Sequence, residues 1–137
     1  MNIVVDTSVW SLVLRRRRID ENDPWVRTFR SCVDNDYGIL LVGPVLQELL
    51  AGVRTARDFN RLLKILAPFP LAPLDRETFA LAAQIHNRCR RRGAQASGVD
   101  FLIAAACIKN GLPLLTADAD FTRIAERTQL VVMKPVA

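Results

Sequence analysis

Short apolar runs alternate with amphipathic stretches along the whole chain. The runs at 2–6, 37–42, 112–116 and 130–133 are rich in Val, Ile and Leu, as strands buried on both faces of a sheet are. Helical spacing of apolar residues marks the stretches between them, at 7–14, 24–33, 45–51, 56–66, 76–92, 99–110 and 119–126. This alternation predicts an α/β fold, a three-layer α/β/α sandwich around a mostly parallel central sheet.

Glycine and proline mark where these elements begin and end. Pro24 suits the first turn of a helix, and Gly52 and Gly111 are placed to end helices. Prolines also flank an extended piece at 68–74. Since no repeat or linker divides the sequence, we expect a single domain over residues 1–137.

The composition is that of an ordinary globular protein, with 50% hydrophobic and 24% charged residues. The longest apolar run, 101–108, is shorter than the roughly 18 residues needed to span a membrane, so no membrane association is expected. The N-terminus lacks the basic start and the cleavage site of a signal peptide. Three scattered cysteines fit reduced thiols better than a disulfide framework. We therefore expect a cytoplasmic location.

The chain is basic, with a formal net charge of +5 and a pI of about 9.7. This charge favours a polyanionic partner, although a merely basic surface gives the same number. Two arginine-rich runs are candidates for contacts with RNA phosphates: Arg15, Arg16, Arg17 and Arg18 in the first, and Arg90, Arg91 and Arg92 in the second. The alternative is a solvated charged face at the end of each helix.

Four acidic residues stand beside apolar segments. Asp6 ends the first predicted strand, Glu48 lies one turn into the helix after the second, Asp100 opens the apolar helix, and Asp118 follows the strand at 112–116. Each has an ordinary structural interpretation: a helix cap for Asp6 and Asp118, a capping box with Ser97 for Asp100, and a solvated position for Glu48. However, segments that leave the carboxyl ends of parallel strands gather at one edge of the sheet. We therefore predict that the four carboxylates converge.

Carboxylates within about 6 Å of one another repel, and a divalent cation relieves that repulsion. Oxygen ligands favour Mg²⁺ or Mn²⁺. Since His86 is the only histidine, zinc sites of the HExxH or Cys/His kind are excluded. An acidic cation site on a basic protein indicates hydrolysis of phosphodiester bonds by a metal-activated water. Hydroxyls at the same rim, those of Thr7, Ser8 and Thr116, either bind water or phosphate or simply cap helices.

The stretches "VVDTSVW", "QELLAG", "SGVDFLIAAA" and "LLTADADF", in this order and spacing, resemble the PIN-domain ribonucleases, specifically the VapC-type toxins of toxin–antitoxin pairs. The resemblance covers essentially the whole chain, so the single domain is interpreted as a PIN domain. It implies that Asp6, Glu48, Asp100 and Asp118 are the family's catalytic, metal-binding acids. Asp120 matches an additional acid that many members carry and is a further candidate metal ligand.

The resemblance also implies a biological role. It predicts a Mg²⁺- or Mn²⁺-dependent endoribonuclease that cuts structured RNA such as tRNA or rRNA. It further implies a cognate VapB-type antitoxin that inserts a side chain into the acidic pocket, together with a homodimer and a toxin–antitoxin hetero-oligomer.

Two other functions remain open at this point. A phosphatase of the haloacid-dehalogenase type also begins with a strand that ends in a carboxylate, but it usually carries a second acid two residues later, where this chain has Ser8. The other is a non-catalytic PIN-like module for RNA binding or assembly. Inactive relatives of that kind usually lack part of the acidic quartet, which is complete here.

Overall fold

The computed structural model describes residues 1–14, 18–90 and 96–136. Strands and helices alternate within them: β1 (Asn2–Val5), α1 (Thr7–Val13), α2 (Pro24–Asp34), β2 (Gly38–Leu40), α3 (Gly43–Leu50), α4 (Ala56–Leu66), α5 (Arg76–Arg90), α6 (Gly98–Asn110), β3 (Leu114–Leu115) and α7 (Ala119–Ala125).

The strands form one parallel sheet in the order β2-β1-β3. Val4 of β1 pairs with Leu40 on one side and with Leu114 on the other. Each connection between neighbouring strands contains at least one helix, as parallel pairing requires. The predicted α/β fold with a parallel central sheet is confirmed.

The observed strands are shorter than the apolar runs that predicted them, and the predicted strand at 130–133 is only a single bridge between Leu114 and Val132. Two backbone hydrogen bonds hold that bridge, from the Leu114 amide to Val131 and from the Met133 amide to Leu114, each 2.9 Å long. The ladder is short because β3 has only two residues. Pro113, which precedes them, has no amide N–H to extend it.

The extended piece at 68–74 runs beside the end of β2. Leu41 donates to the carbonyl of Pro70 at 2.9 Å and accepts from the Ala72 amide at 2.7 Å. One parallel bridge, between Leu41 and Leu71, results. The prolines of this segment restrict the pairing to that bridge, because each removes one donor.

The core lies between the sheet and its helices. Ile3, Val4 and Val5 of β1 are completely buried, and α6 buries its middle, Phe101 and the run 103–107. The ring of Trp10 packs edge-to-face against Phe29 and Phe69, with centroids 5.2 and 5.0 Å away. Trp10 and Phe29 therefore serve the packing role that their apolar surroundings favour.

The three cysteines, Cys32, Cys89 and Cys107, are buried free thiols. Within the described ranges, no helix is long and apolar enough to cross a membrane.

Candidate active site

Asp6 lies where β1 ends and α1 begins. Its backbone amide donates to the carbonyl of Leu115 at 2.9 Å, so the carboxyl ends of β1 and β3 are adjacent. As the N-cap of α1, its carboxylate also accepts a long bond of 3.4 Å from the Ser8 amide. Only 5% of the residue is exposed. A carboxylate is thus buried at the sheet edge where ligands of parallel α/β proteins bind.

Two hydroxyl groups hold the Oδ2 atom of Asp6. Ser8 Oγ donates to it at 2.8 Å, and Thr116 Oγ1 donates to it at 2.9 Å. A hydroxyl has one proton, so neither has a second one for a water or a phosphate. This geometry favours a positioning role for Ser8 and Thr116 over direct contact with a substrate.

The same hydroxyls accept hydrogen bonds from the turn between β3 and α7. The Ala117 amide donates to Ser8 Oγ at 2.9 Å, and the Asp118 amide donates to Thr116 Oγ1 at 3.1 Å. The network therefore connects Asp6 with the turn that presents Asp118.

Asp100 is in the first turn of α6, and the capping box predicted for this helix is present. Ser97 Oγ accepts from the Asp100 amide at 3.2 Å, and the Asp100 carboxylate accepts from the Ser97 amide at 3.1 Å. Burial raises the pKa of the Asp100 carboxyl, and the negative charges of Asp118 and Asp6 raise it further, against the opposing effect of the Ser97 bonds. Asp100 therefore helps to cap α6 although its surroundings oppose its ionisation.

Asp118 is the N-cap of α7 and accepts from the Asp120 amide at 2.9 Å. Carboxylate oxygens of Asp100, Asp118 and Asp120, one from each, all lie within 4.8 Å of one another. Three oxygen donors that converge in this way fit a hard divalent cation such as Mg²⁺ or Mn²⁺.

The negative charge of Asp6 raises the pKa of two neighbouring groups. Asp6 raises the pKa of Asp100, as described above, and it also contributes to raising the pKa of the Cys107 thiol to about 12, although burial is the larger cause. Cys107 is therefore a protonated core residue beside the site rather than a ligand.

Glu48, on α3, stands at the exposed side of this region. Its Oε2 accepts a hydrogen bond of 3.2 Å from the hydroxyl of Thr7, the residue after Asp6. The structure thus brings Glu48 next to the start of α1, but Glu48 is not in the group of three converging acids.

Of the seven arginines predicted to contact RNA, the structure describes two. Arg15, Arg16, Arg17, Arg91 and Arg92 lie outside the described residues. Arg18 and Arg90 are exposed, and Arg90 donates to the side chain of Asn87 at 3.3 Å. His86 stacks on Phe101 with centroids 4.6 Å apart, so it packs on the surface of α5 and α6 and is not in the acidic group.

One charged residue of this region was not singled out from the sequence. Arg123, one turn into α7, donates from Nη1 to Asp120 Oδ1 at 2.7 Å. The available signal was its position three residues after Asp120, a spacing that places two side chains on the same helix face.

With this geometry established, comparison with known proteins defines the class. Residues 3–127 match the PIN domain, and the chain therefore belongs to the PIN domain family. The four sequence stretches that resemble this family include every acid of the site.

Particular relatives are also similar. Ribonuclease VapC1 of Rickettsia felis is 31% identical over 133 residues, which cover 90% of this chain and 91% of that protein. Among solved structures, VapBC2 from Rickettsia felis bound to a DNA fragment from their promoter superposes with a TM-score of 0.78 at 18% identity, covering 97% of this chain and 98% of the other. VapBC-5 from Mycobacterium tuberculosis, a member of the VapBC family of toxin-antitoxin systems, gives 0.70 at 20% identity, covering 97% and 98%. These two structural similarities establish the fold.

Proposed function

We propose that this chain is a Mg²⁺- or Mn²⁺-dependent endoribonuclease, the toxin of a VapBC-type pair, and that it hydrolyses phosphodiester bonds in structured RNA such as tRNA or rRNA. The observation that carries the proposal is the convergence of Asp100, Asp118 and Asp120 beside Asp6 at the carboxyl edge of a parallel sheet. The name of a 31% identical relative, Ribonuclease VapC1, supports the same activity. Membership of the PIN family opposes the phosphatase alternative.

The acids themselves support a cation at this site. Asp100 is partly buried, and the charges of Asp6 and Asp118 oppose its ionisation, so a positive ion stabilises the ionised cluster. A bound cation of this kind lowers the pKa of a coordinated water and stabilises charge on phosphoryl oxygens. The net charge of +5 suits a polyanionic substrate.

The protein's own groups take separate roles in this proposal. Ser8 and Thr116 fix Asp6 through Oδ2, so Oδ1 is the atom of Asp6 that would bind the cation. Asp100 and Asp118 would be further ligands, together with Asp120 from the first turn of α7. Glu48, held by Thr7 at the exposed side, orients the attacking water or accepts its proton through a carboxylate oxygen.

The test is RNA cleavage by the purified chain with Mg²⁺ or Mn²⁺, compared with EDTA. Asp6→Asn and Asp100→Asn should each lower the rate on the order of 100-fold or more, while the far-UV spectrum stays native. Asp34→Asn, which removes an exposed carboxylate at the end of α2, is the matched control and should keep full activity. Full activity in either active-site variant would contradict the proposal, and RNA that is bound but never cut with either ion would support the non-catalytic module.

A VapB-type antitoxin is the proposed partner, with a homodimer and a toxin–antitoxin hetero-oligomer as the assemblies and the cytoplasm as the place of action. The similarity to VapBC structures supports the partner and the assemblies. The three free, buried thiols support the cytoplasmic location. Expression of the chain alone should arrest growth, and co-expression of a short neighbouring reading frame should relieve the arrest. Growth arrest that persists in Asp100→Asn would separate toxicity from the proposed chemistry.

A further inference from the structure

Arg123 is a basic residue bonded directly to the acidic cluster. Its Nη1 atom donates to Asp120 Oδ1 at 2.7 Å, and Asp120 contributes one of the three oxygens that lie within 4.8 Å of one another. The guanidinium is therefore fixed beside the atoms that face the proposed cation.

Most of this side chain remains available for a ligand. The Arg123 side chain is 59% exposed, compared with 32% for its partner Asp120. A guanidinium carries five N–H donors in a planar fork, and within the described residues one of them is used, on Asp120. The remaining donors suit a phosphate, which arginine binds through two parallel hydrogen bonds.

An ordinary surface pair is the competing interpretation. Acid–arginine pairs three residues apart on a helix contribute only a few tenths of a kcal/mol and are common. The chain offers another exposed ion pair for comparison: Arg30 on α2 pairs with Glu21 in the preceding loop, and the Arg30 side chain is 48% exposed. What separates the two arginines is position, since Asp120 belongs to the converging acids and Glu21 does not.

We propose that Arg123 binds a non-bridging phosphate oxygen of the RNA backbone next to the cation, with Asp120 holding the guanidinium in place. This inference rests on the proposed ribonuclease function and adds a residue that touches the substrate. Asp120 then has two roles, because one carboxylate oxygen orients Arg123 while the carboxylate group still faces the cation. Arg123 contributes affinity and alignment of the strand rather than sequence preference, as phosphate contacts do.

The experiment compares wild type, Arg123→Gln and the matched control Arg30→Gln, which makes the same change of charge at an ion pair whose acid is not one of the converging three. Binding of a fluorescein-labelled single-stranded RNA of mixed sequence is followed by fluorescence anisotropy in EDTA, so that nothing is cut. A second titration measures the affinity of each protein for Mn²⁺ alone. Thermal melts of all three proteins confirm that they fold.

Arg123→Gln should bind the RNA several-fold more weakly than Arg30→Gln, and the slope of log affinity against log salt should fall by about 0.7 for the lost phosphate contact. The advantage of wild type over Arg123→Gln should accordingly shrink about 2.5-fold between about 50 and 200 mM salt. Arg123→Lys should keep part of the affinity, because it retains the charge without the planar fork. The Mn²⁺ affinity of Arg123→Gln should be unchanged or higher.

Equal RNA affinities and equal salt slopes for the two glutamine variants would overturn the inference. If the Mn²⁺ affinity of Arg123→Gln then rose alone, Arg123 would be only a counter-ion for Asp120. The failure of this inference can be distinguished from the failure of the proposed activity. If the wild type cuts RNA with Mn²⁺ and Arg123→Gln does so with an unchanged KM, Arg123 has no role in binding the substrate, but the ribonuclease proposal stands. A wild type that never cuts RNA removes the ribonuclease, whatever the binding data show.

Discussion

The Oδ2 atom of Asp6 accepts bonds from Ser8 and Thr116, and this arrangement gives a buried carboxylate one defined orientation. The bonds are 2.8 and 2.9 Å long, and both hydroxyls also accept amides of the turn that carries Asp118. Hydrogen bonds to a charged group are the stronger kind, since a buried charge that loses one is left poorly solvated. The two hydroxyls therefore serve both stability and alignment.

Replacement of Thr116 by Val keeps the shape and removes the hydroxyl. Thr116 is 2% exposed, so water does not replace the lost donor, and we expect the free energy of unfolding to fall by about 2 kcal/mol. RNA cleavage should fall as well, because Asp6 loses its fixed orientation and the Asp118 amide loses an acceptor. Thr116→Ser is the control and should retain most of both properties. Chemical denaturation and the cleavage rate are the measurements, and a Val variant as active as the Ser variant would show that the hydroxyl has no positioning role.

At the scale of elements, the caps show why these helices begin and end where they do. Asp6, Asp118 and Ser97 each cap a helix that starts at the edge of the site, while Gly111 ends α6 in the left-handed conformation at φ +63°. Capping explains why acids stand at these positions in the sequence. It does not explain why Asp100, Asp118 and Asp120 converge, and the cation proposed for this site would be that second reason.

The left-handed conformation of Gly111 leads to a stability prediction. An added Cβ at Gly111 meets no atom within 4 Å, so Gly111→Ala costs only the backbone strain, about 1 kcal/mol of unfolding free energy. Gly98, in the first turn of the same helix, also has open space and no positive φ, and Gly98→Ala should be neutral or slightly stabilising. Urea denaturation of the two variants checks this, and an equal loss in both would refute the assignment of strain to Gly111.

The start of α5 gives a prediction of pH dependence. A hydrogen bond from Lys109 lowers the pKa of the Asp75 carboxyl well below its ordinary value, with further bonds from Thr78. A carboxyl whose pKa is lower in the folded state stabilises the fold above the unfolded pKa, 3.8, and loses that contribution as the pH falls below it. Asp75→Asn should therefore melt at a lower temperature than wild type near neutral pH, and the difference should shrink as the pH falls below about 4. A constant difference across that range would contradict the ionised pair.

The sequence predicted where helices and strands lie better than it predicted where the strands end. Periodicity located each described helix, and β1 was correct within one residue because Ile3, Val4 and Val5 are buried on both faces. It failed at 130–133, where the apolar pattern is that of a strand but the partner β3 offers only two residues. The length of a strand depends on its neighbours in space, and a single sequence does not contain that information.

The acids show the same limit of sequence reasoning. Their positions after strands indicated that all four would converge, and the family resemblance added Asp120. The sequence did not indicate that Asp120 would group with Asp100 and Asp118 while Asp6 and Glu48 stay outside that group. That distinction depends on the direction of the first turn of α7 and on the Thr7–Glu48 contact. Arg123 was missed for a similar reason, since an arginine three residues from an aspartate is common on exposed helices.

For the whole molecule, the cluster should make stability depend on divalent ions and on pH together. The pKa of Asp100 is higher in the folded protein than its ordinary value, so the metal-free fold binds a proton more readily than the unfolded chain does. Its stability should therefore decrease as the pH rises from about 4 through the raised pKa. Mn²⁺ binds the ionised form, so the increase in Tm on adding Mn²⁺ should grow over the same range. Asp100→Asn should lose this pH-dependent increase, and a Mn²⁺ effect of equal size at every pH would contradict the competition between proton and cation.

Binding of Mn²⁺ to the purified chain, measured by titration calorimetry, tests most directly whether the converging carboxylates form one cation site. We predict that wild type and Asp34→Asn bind Mn²⁺ with the same affinity, and that Asp118→Asn and Asp100→Asn each bind it at least about tenfold more weakly, because each removes a charged ligand. Unchanged Mn²⁺ affinity in both Asp118→Asn and Asp100→Asn would show that these oxygens do not hold the ion, and the account of the site would be wrong.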